Sequence, residues 1–447
     1  MNYDRLVQDI EEGLKNIPLL DPHSHLVGGN LGAKGLHDIL LYHMGISDLY
    51  AAGCPSGDRL TQYPGWPSRE EAHARLEEAI PYLVRTRNTS TAWAIRIVLS
   101  ELYDWIDPVT PDNWKRLDAL VRERSEDRSW HHSILDRLNI KRTCTELARR
   151  EGGIDDERLQ YSLEWGFFTR TQWGEFDTAL YELERCWGEQ PRSPSPIGAG
   201  PRPATQRRIE SLEDVHEAIR YYVDTIPYDE IVSMATHVST DIDYRVVSKE
   251  AMNDAIRRRD GSGPHERDTY ASYIHEEFLS RLEVKNKEIV FQFSIGAEPL
   301  PHETASRISQ TTLKQIGDMI AAHPGLQFQC FSGSVHANQT LCTLARELPN
   351  LSLAGYWWHS FFPDSIRRIA GERLDMLPAN KQIGFFSDAY CVEWAYAKAR
   401  IVLLQLAQVL AERVRSGQYD QETAVDTGQE ILYHSPLRLS GMRPKSP

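Results

Sequence analysis

Four times after residue 285 a short apolar run is followed by a longer amphipathic stretch. KEIVFQFSIGA precedes SQTTLKQIGDMIAAH, GLQFQCFSGS precedes NQTLCTLAREL, NLSLAGYWWH precedes DSIRRIAGERLDML, and KQIGFFSDAY precedes VEWAYAKARIVLLQLAQVLAERV. A strand that is always followed by a helix pairs in parallel with the next strand, because the helix returns the chain to the same end of the sheet. In the last stretch Val392, Ala395, Ala399, Val402, Leu406 and Leu410 recur at helical spacing and form one apolar stripe. IPLLDPHSHL and EIVSMATHVS read as earlier strands of the same kind. About eight such units predict a closed β/α barrel.

Residues 66–190 break the rhythm. They are rich in Trp, Leu, Arg and Glu and helix-prone, as in RLEEAIPYLVRTRNTSTAWAIRIVLSELY, and are expected to form an inserted helical subdomain or lid. Residues 1–65 would then carry the start of the barrel, 191–208 a Pro/Gly-rich loop, and 209–447 the rest of the barrel. RRRDGSGPHERD, 257–268, reads as a second exposed loop.

The chain has 447 residues, of which 64 are acidic and 50 basic, a formal charge of −14. That balance argues against nucleic acid and anionic membranes as partners, since both need a basic surface. No apolar run reaches the roughly 20 residues of a membrane span. The N-terminus, MNYDRLVQDIEEGLKN, is acidic and amphipathic and lacks the apolar centre of a signal peptide. The six cysteines include no C-x-x-C pair, as expected for reduced thiols in the cytoplasm. Any metal must therefore be held by histidine and carboxylate.

A barrel carries its chemistry at the C-terminal ends of its strands. Polar residues stop the apolar runs there: His23 and His25, His237, Ser294, Cys330 to Ser332, Trp358 to His359, and Asp388. Two histidines at i and i+2 of an extended chain face the same side. With Asp388 they would form a ligand set for a divalent ion such as zinc, manganese or iron. A pair of histidines satisfied at a strand end is the plain structural alternative. Asp21 could orient a ligand histidine from behind, or simply start the turn with Pro22. His237 could be a further ligand or a general base, or a packed histidine. Trp357 and Trp358 could wall a sugar or aromatic substrate, or belong to the core.

These residues, in this order, resemble the uronate isomerases of the amidohydrolase superfamily. D-x-H-x-H-L appears as Asp21, His23, His25 and Leu26, and YHMGISDLYAAG, Thr236-His237-Val238, Gln292 to Ala297 and GYWWHSFF are similar to later family segments. The most specific likeness is the end, from the last strand with its Asp through ETAVDTGQEILYHSPLRLSG. The resemblance implies a distorted (β/α)8 TIM barrel, a metal on His23, His25 and Asp388, and an aldose–ketose isomerisation of a hexuronate or related sugar acid by proton transfer between C1 and C2. It implies Asp388 or a water on the metal as base, His43 assisting proton transfer, and Tyr390 on the substrate, with Trp357, Trp358, Ser294 and Tyr50 lining its site. The protein would be a cytoplasmic enzyme with a small-molecule sugar-acid partner, and could form a homo-oligomer. The departures are specific. Met44 stands where the family has Tyr, Ser47 and Tyr50 where it has arginines, Ser294 where it has histidine, and Ala389-Tyr390 where it has Ser-Arg. Tyrosine does not replace an arginine's bidentate grip on a carboxylate. Arg245, Arg170 or Arg142 could supply that charge from elsewhere. The runner-up chemistry is a metal-dependent hydrolase in which an activated water attacks an amide, ester or lactone; a binding protein without catalysis is the third reading.

Overall fold

The computed structural model describes residues 2–57, 60, 68–150, 157–164, 178–187, 207–238, 240, 242–259, 263–285, 288–297, 307–358 and 362–443. Its sheet has eight strands in sequence order, every neighbouring pair parallel. They are β1 Leu19–Asp21, β2 Ile140–Glu146, β3 Leu159–Glu164, β4 Ser233–Val238, β5 Val290–Ile295, β6 Gln327–Ser332, β7 Leu351–Ala354 and β8 Gln382–Ile383. The fold is a distorted (β/α)8 barrel, with the β/α units expected from the recurring strand–helix pattern and the distortion expected from the family resemblance.

Alternation along each strand sorts residues between the barrel interior and the helices outside. In β5, Phe291 and Phe293 join the outer core with Leu313, Ile316 and Phe328. Gln292 between them faces inward, and its side-chain amide donates to the Pro22 carbonyl and to Gln329 Oε1, both at 3.1 Å. Thr143, Thr145, Ser162, Ser233 and Gln329 are likewise buried polar residues on the strands. The closing helix Val392–Arg415 is buried along nearly all its length, and every residue of the expected stripe is in the core.

Between β8 and β1 no ladder is formed among the described residues. At the mouth the two chain ends are joined beyond the strands: Asp388 N–H donates to the His23 carbonyl (2.9 Å) and His25 N–H to the Ala389 carbonyl (2.8 Å). Deeper in the seam, Gly384 N–H donates to the Ile431 carbonyl at 2.7 Å, so the C-terminal segment fills the gap.

The boundaries of the expected insertion need correcting. Helices run through Arg69–Ala79, Ser90–Tyr103, Trp114–Ser125 and Arg128–Arg137, but β2 and β3 of the barrel follow inside the 66–190 range. IKRTCTE is polar at all but Ile140 and Cys144, and LQYSLE is polar at Gln160, Ser162 and Glu164, so both lack the continuous apolar run of a buried parallel strand. The expected loop at 257–268 is also shorter: Arg257 ends one helix and Pro264 begins the next. The 191–208 stretch lies outside the described residues except for Arg207 and Arg208.

Candidate metal centre at the barrel mouth

Proline has no N–H to continue a ladder, and β1 stops at Asp21, just before Pro22. The next residues stay extended between two neighbours. Ser24 bonds on one side, its N–H and hydroxyl both donating to the Cys144 carbonyl of β2 at 2.8 Å. His23 and His25 project together on the other, with ring centroids 5.1 Å apart and the planes nearly perpendicular. The same-side expectation holds although neither residue lies within β1 itself.

Asp388 sits five residues beyond β8 with φ +50°, in the left-handed region that Asp tolerates better than most side chains. Its backbone is pinned on every side. The Asp388 carbonyl accepts from the Tyr42 hydroxyl (2.6 Å) and the Lys398 ammonium (3.1 Å). Lys398 Nζ also donates to the Ser387 carbonyl (2.7 Å) and to Tyr42 Oη (2.9 Å). Asp21 accepts from Ser387 N–H (2.7 Å), the Ser387 hydroxyl (2.6 Å) and the Thr143 hydroxyl (3.0 Å). Asp21 therefore ties β1 to the segment that carries Asp388, and does not make the histidine contact anticipated for it.

The result is a convergence of three donors. Asp388 Oδ1 lies 3.4 Å from His23 Nε2 and 3.2 Å from His25 Nε2, and the three ligand atoms all fall within 4.8 Å of one another. Burial pushes the Asp388 carboxyl up, but its close contacts with both imidazole rings and the charge of Lys398 outweigh that and hold the group well below the usual carboxylate range. Burial lowers the Lys398 ammonium to about 8, against the pull of Asp388 and Asp21. Two imidazoles and an ionised carboxylate, gathered in a mostly buried corner, fit a divalent ion of the zinc, manganese or iron kind.

Around this corner stand residues that no motif announced. Glu146, the last residue of β2, places Oε1 2.5 Å from His25 Nδ1 and forms an ion pair through Oε2 with Arg149 Nε. Arg149 lies over the Tyr390 ring, 5.1 Å from its centroid, and Tyr390 stacks on His25 at 4.6 Å and 21°. His43 packs at 5.0 Å from Tyr390. Burial lowers His43 to about 3, so its imidazole is neutral at physiological pH. Glu164, at the end of β3, brings a third acid within 4.8 Å of His25 and Glu146. Of these, His43 and Tyr390 were expected from the sequence, whereas Glu146, Arg149 and Glu164 were hard to find because β2 and β3 were hidden in a helix-rich stretch. A polar residue closing each strand was the available signal.

The remaining candidates fall elsewhere. His237 and Ser294 are directly opposed in the β4–β5 ladder, and Ser294 Oγ donates to the Thr236 carbonyl at 3.3 Å. His237 is 5.7 Å from Trp357, which is 5.5 Å from Trp358. Both tryptophans belong to a small buried cluster with Phe331 and Phe386, and His23 packs against those two phenylalanines at 5.0 and 5.7 Å. Trp358, like Asp388, has a left-handed backbone (φ +61°), and strain of this kind gathers at functional sites. Tyr50 is 61% exposed, about 10 Å along the helix from His43, and outside this arrangement. Arg245 is engaged by Asp243, His265 and Thr269, Arg142 lies on β2, and Arg170 and His359 are outside the described residues.

Fold and mouth together define a distorted (β/α)8 barrel with a cluster of two histidines and an aspartate, able to hold a cation, at its closing seam. No protein-family model matches the chain, and no curated protein matches it. Among solved structures it is similar to a glucuronate isomerase from Caulobacter crescentus (TM-score 0.77, 15% identity, covering 99% of this chain and 95% of that one). It is similar also to a uronate isomerase from Thermotoga maritima (0.74, 12%, 97% of each chain). A protein from Lactobacillus casei described as a metal-dependent hydrolase aligns with TM-score 0.56 at 13% identity, over 97% of this chain and 99% of that one. The shared architecture spans the whole chain. Among the described residues no helix is long and apolar enough to cross a membrane.

Proposed function

We propose that this protein is a uronate isomerase-like enzyme that interconverts the aldose and ketose forms of a hexuronate or a related sugar acid. The observation that carries the reading is the meeting of His23, His25 and Asp388 at the mouth of a barrel of this architecture. Those three residues would hold a divalent metal, with zinc first and manganese or iron as alternatives, and the metal would polarise the substrate's carbonyl and hydroxyl oxygens.

The chain's own residues supply the rest. Moving a proton between C1 and C2 requires an acceptor beside the carbon. Asp388 is ionised and half surrounded by donors, and its second oxygen is the candidate acceptor. His43, neutral and packed against Tyr390, would relay the proton, and the Tyr390 hydroxyl would bond a sugar oxygen. The aromatic wall of Trp357 and Trp358 and the polar pair His237 and Ser294 would position the sugar chain from the opposite side. Six free, buried cysteines support a reducing compartment, the cytoplasm. A homo-oligomer remains part of the reading.

The departures at Ser294 and Tyr390 and the likeness to the Lactobacillus casei protein favour one second reading, hydrolysis of an amide, ester or lactone. A single experiment separates them. Hexuronates, sugar lactones and small amides are incubated in deuterated water with zinc or manganese and followed by NMR. Isomerisation predicts deuterium at C2 of a uronate; hydrolysis predicts a cleaved product and no exchange.

A further inference from the structure

We infer that Glu146 and Arg149 are positioning residues for the cation site: Glu146 fixes the tautomer and ring orientation of His25, and Arg149 fixes Glu146. The inference rests on the metal reading above and adds the groups that aim one of its ligands.

Paired with the Arg149 guanidinium, Glu146 is an ionised carboxylate that accepts hydrogen bonds and cannot donate them, so the 2.5 Å contact from its Oε1 to His25 Nδ1 requires the proton on Nδ1. Nε2, on the far edge of the ring, is then the atom directed at Asp388 Oδ1, 3.2 Å away. A ligand histidine usually donates its other N–H to a carboxylate, which fixes the ring and raises its basicity. Glu146 is buried and is the final residue of β2, so the parallel ladder to β3 fixes its backbone.

The second oxygen of Glu146 is occupied by Arg149, three residues on. Without that guanidinium, Glu146 would add an unbalanced negative charge close to Asp388 and Glu164. Arg149 also covers the face of Tyr390, whose ring lies flat on His25. Glu146 therefore bonds both His25 and Arg149, and Tyr390 stacks between them. The four side chains close a loop that blocks rotation of the His25 ring by its edge and by its face. The trio His25, Glu146 and Glu164 has donors near enough for a cation of its own, but Arg149 already supplies the positive charge there.

The test is zinc affinity of the apoprotein, measured by competition with a chromophoric chelator at fixed pH. Glu146→Ala is expected to weaken zinc about 10–100-fold, the usual cost of removing such a partner. Glu146→Gln, whose amide oxygen still accepts from Nδ1–H, should lose less, and Arg149→Met should fall between the two. Native protein that takes up no zinc, manganese or iron overturns the metal reading itself. Native protein that binds zinc and loses it with His23→Ala, while Glu146→Ala and Arg149→Met stay within twofold, overturns this inference alone. Should Glu146→Ala not fold, 15N-histidine NMR of the native apoprotein decides, with the His25 signals assigned by His25→Asn. A protonated Nδ1 supports the assignment and a bare one overturns it.

Discussion

Where β8 meets β1 the barrel mouth is crowded with side-chain hydrogen bonds and a left-handed backbone, whereas at β4 and β5 an unbroken parallel ladder runs from Ser233 and Val290 out to Val238 and Ile295. The wall needs nothing else to hold it, so His237 and Ser294 are carried by the ladder as far as the rim. At the seam the ladder is missing, and Asp21, Tyr42 and Lys398 satisfy backbone groups that a neighbouring strand would otherwise have bonded. That replacement allows an irregular backbone, and the irregularity turns the Asp388 carboxylate toward the histidines. The functional corner lies where regular structure stops.

Substitutions at the two sides should differ accordingly. Asp388→Asn keeps a residue that tolerates the left-handed backbone while removing the charge. It should reduce bound metal at least 100-fold and abolish C2 exchange, as read by elemental analysis and NMR. Metal retained at the native stoichiometry would break the distinction between seam and wall.

Lys398→Met removes the buried ammonium from beneath the seam and leaves the Ser387 carbonyl without the donor it has now. Unmet buried acceptors cost about 1–3 kcal/mol each, so a loss of about 3 kcal/mol in urea unfolding is expected, together with weaker metal binding. Equal stability would show that the seam is held without it.

The segment following β1 also predicts a pH effect. Burial lowers His37 from its ordinary 6.5 to about 4 and His43 to about 3. Below pH 6.5 the unfolded chain takes up protons that the folded chain refuses, so stability is full above pH 6.5 and falls as pH drops toward 4. Each group steepens the fall by at most about 1.4 kcal/mol per pH unit. Urea midpoints at pH 7, 6 and 5 should show the decline, and His43→Gln should flatten it.

The smallest effect is expected on the wall. Ser294→Ala loses one hydrogen bond to the Thr236 carbonyl, worth about 1 kcal/mol. Zinc affinity should stay within twofold of native, and only the Michaelis constant for a sugar acid should rise. A large loss of metal in this variant would put Ser294 in the seam's company.

Much of the architecture was legible because it rests on local pattern. The repeated strand–helix units after residue 285 and the stripe from Val392 to Leu410 require only hydrophobic periodicity, and both appear as read. The H-x-H pair was legible for the same reason, since alternation along an extended chain depends on neighbours alone. β2 and β3 were not, because their polar faces turn toward a barrel interior that itself contains Thr143, Ser162 and Gln292. Periodicity therefore assigned them to the surrounding helices.

Residue order alone determined that this chain would build parallel strand–helix units and would bring two imidazoles to one side of its first strand's end. Only the tertiary structure decided that Asp388 reaches them, that Glu146 rather than Asp21 backs His25, and that Lys398 lies beneath the seam. Asp388 and Glu146 are each more than a hundred residues from His25 in the chain, as Lys398 is from Tyr42. Their meeting depends on how the barrel closes, and no local spacing encodes a closure made by side chains where the ladder ends.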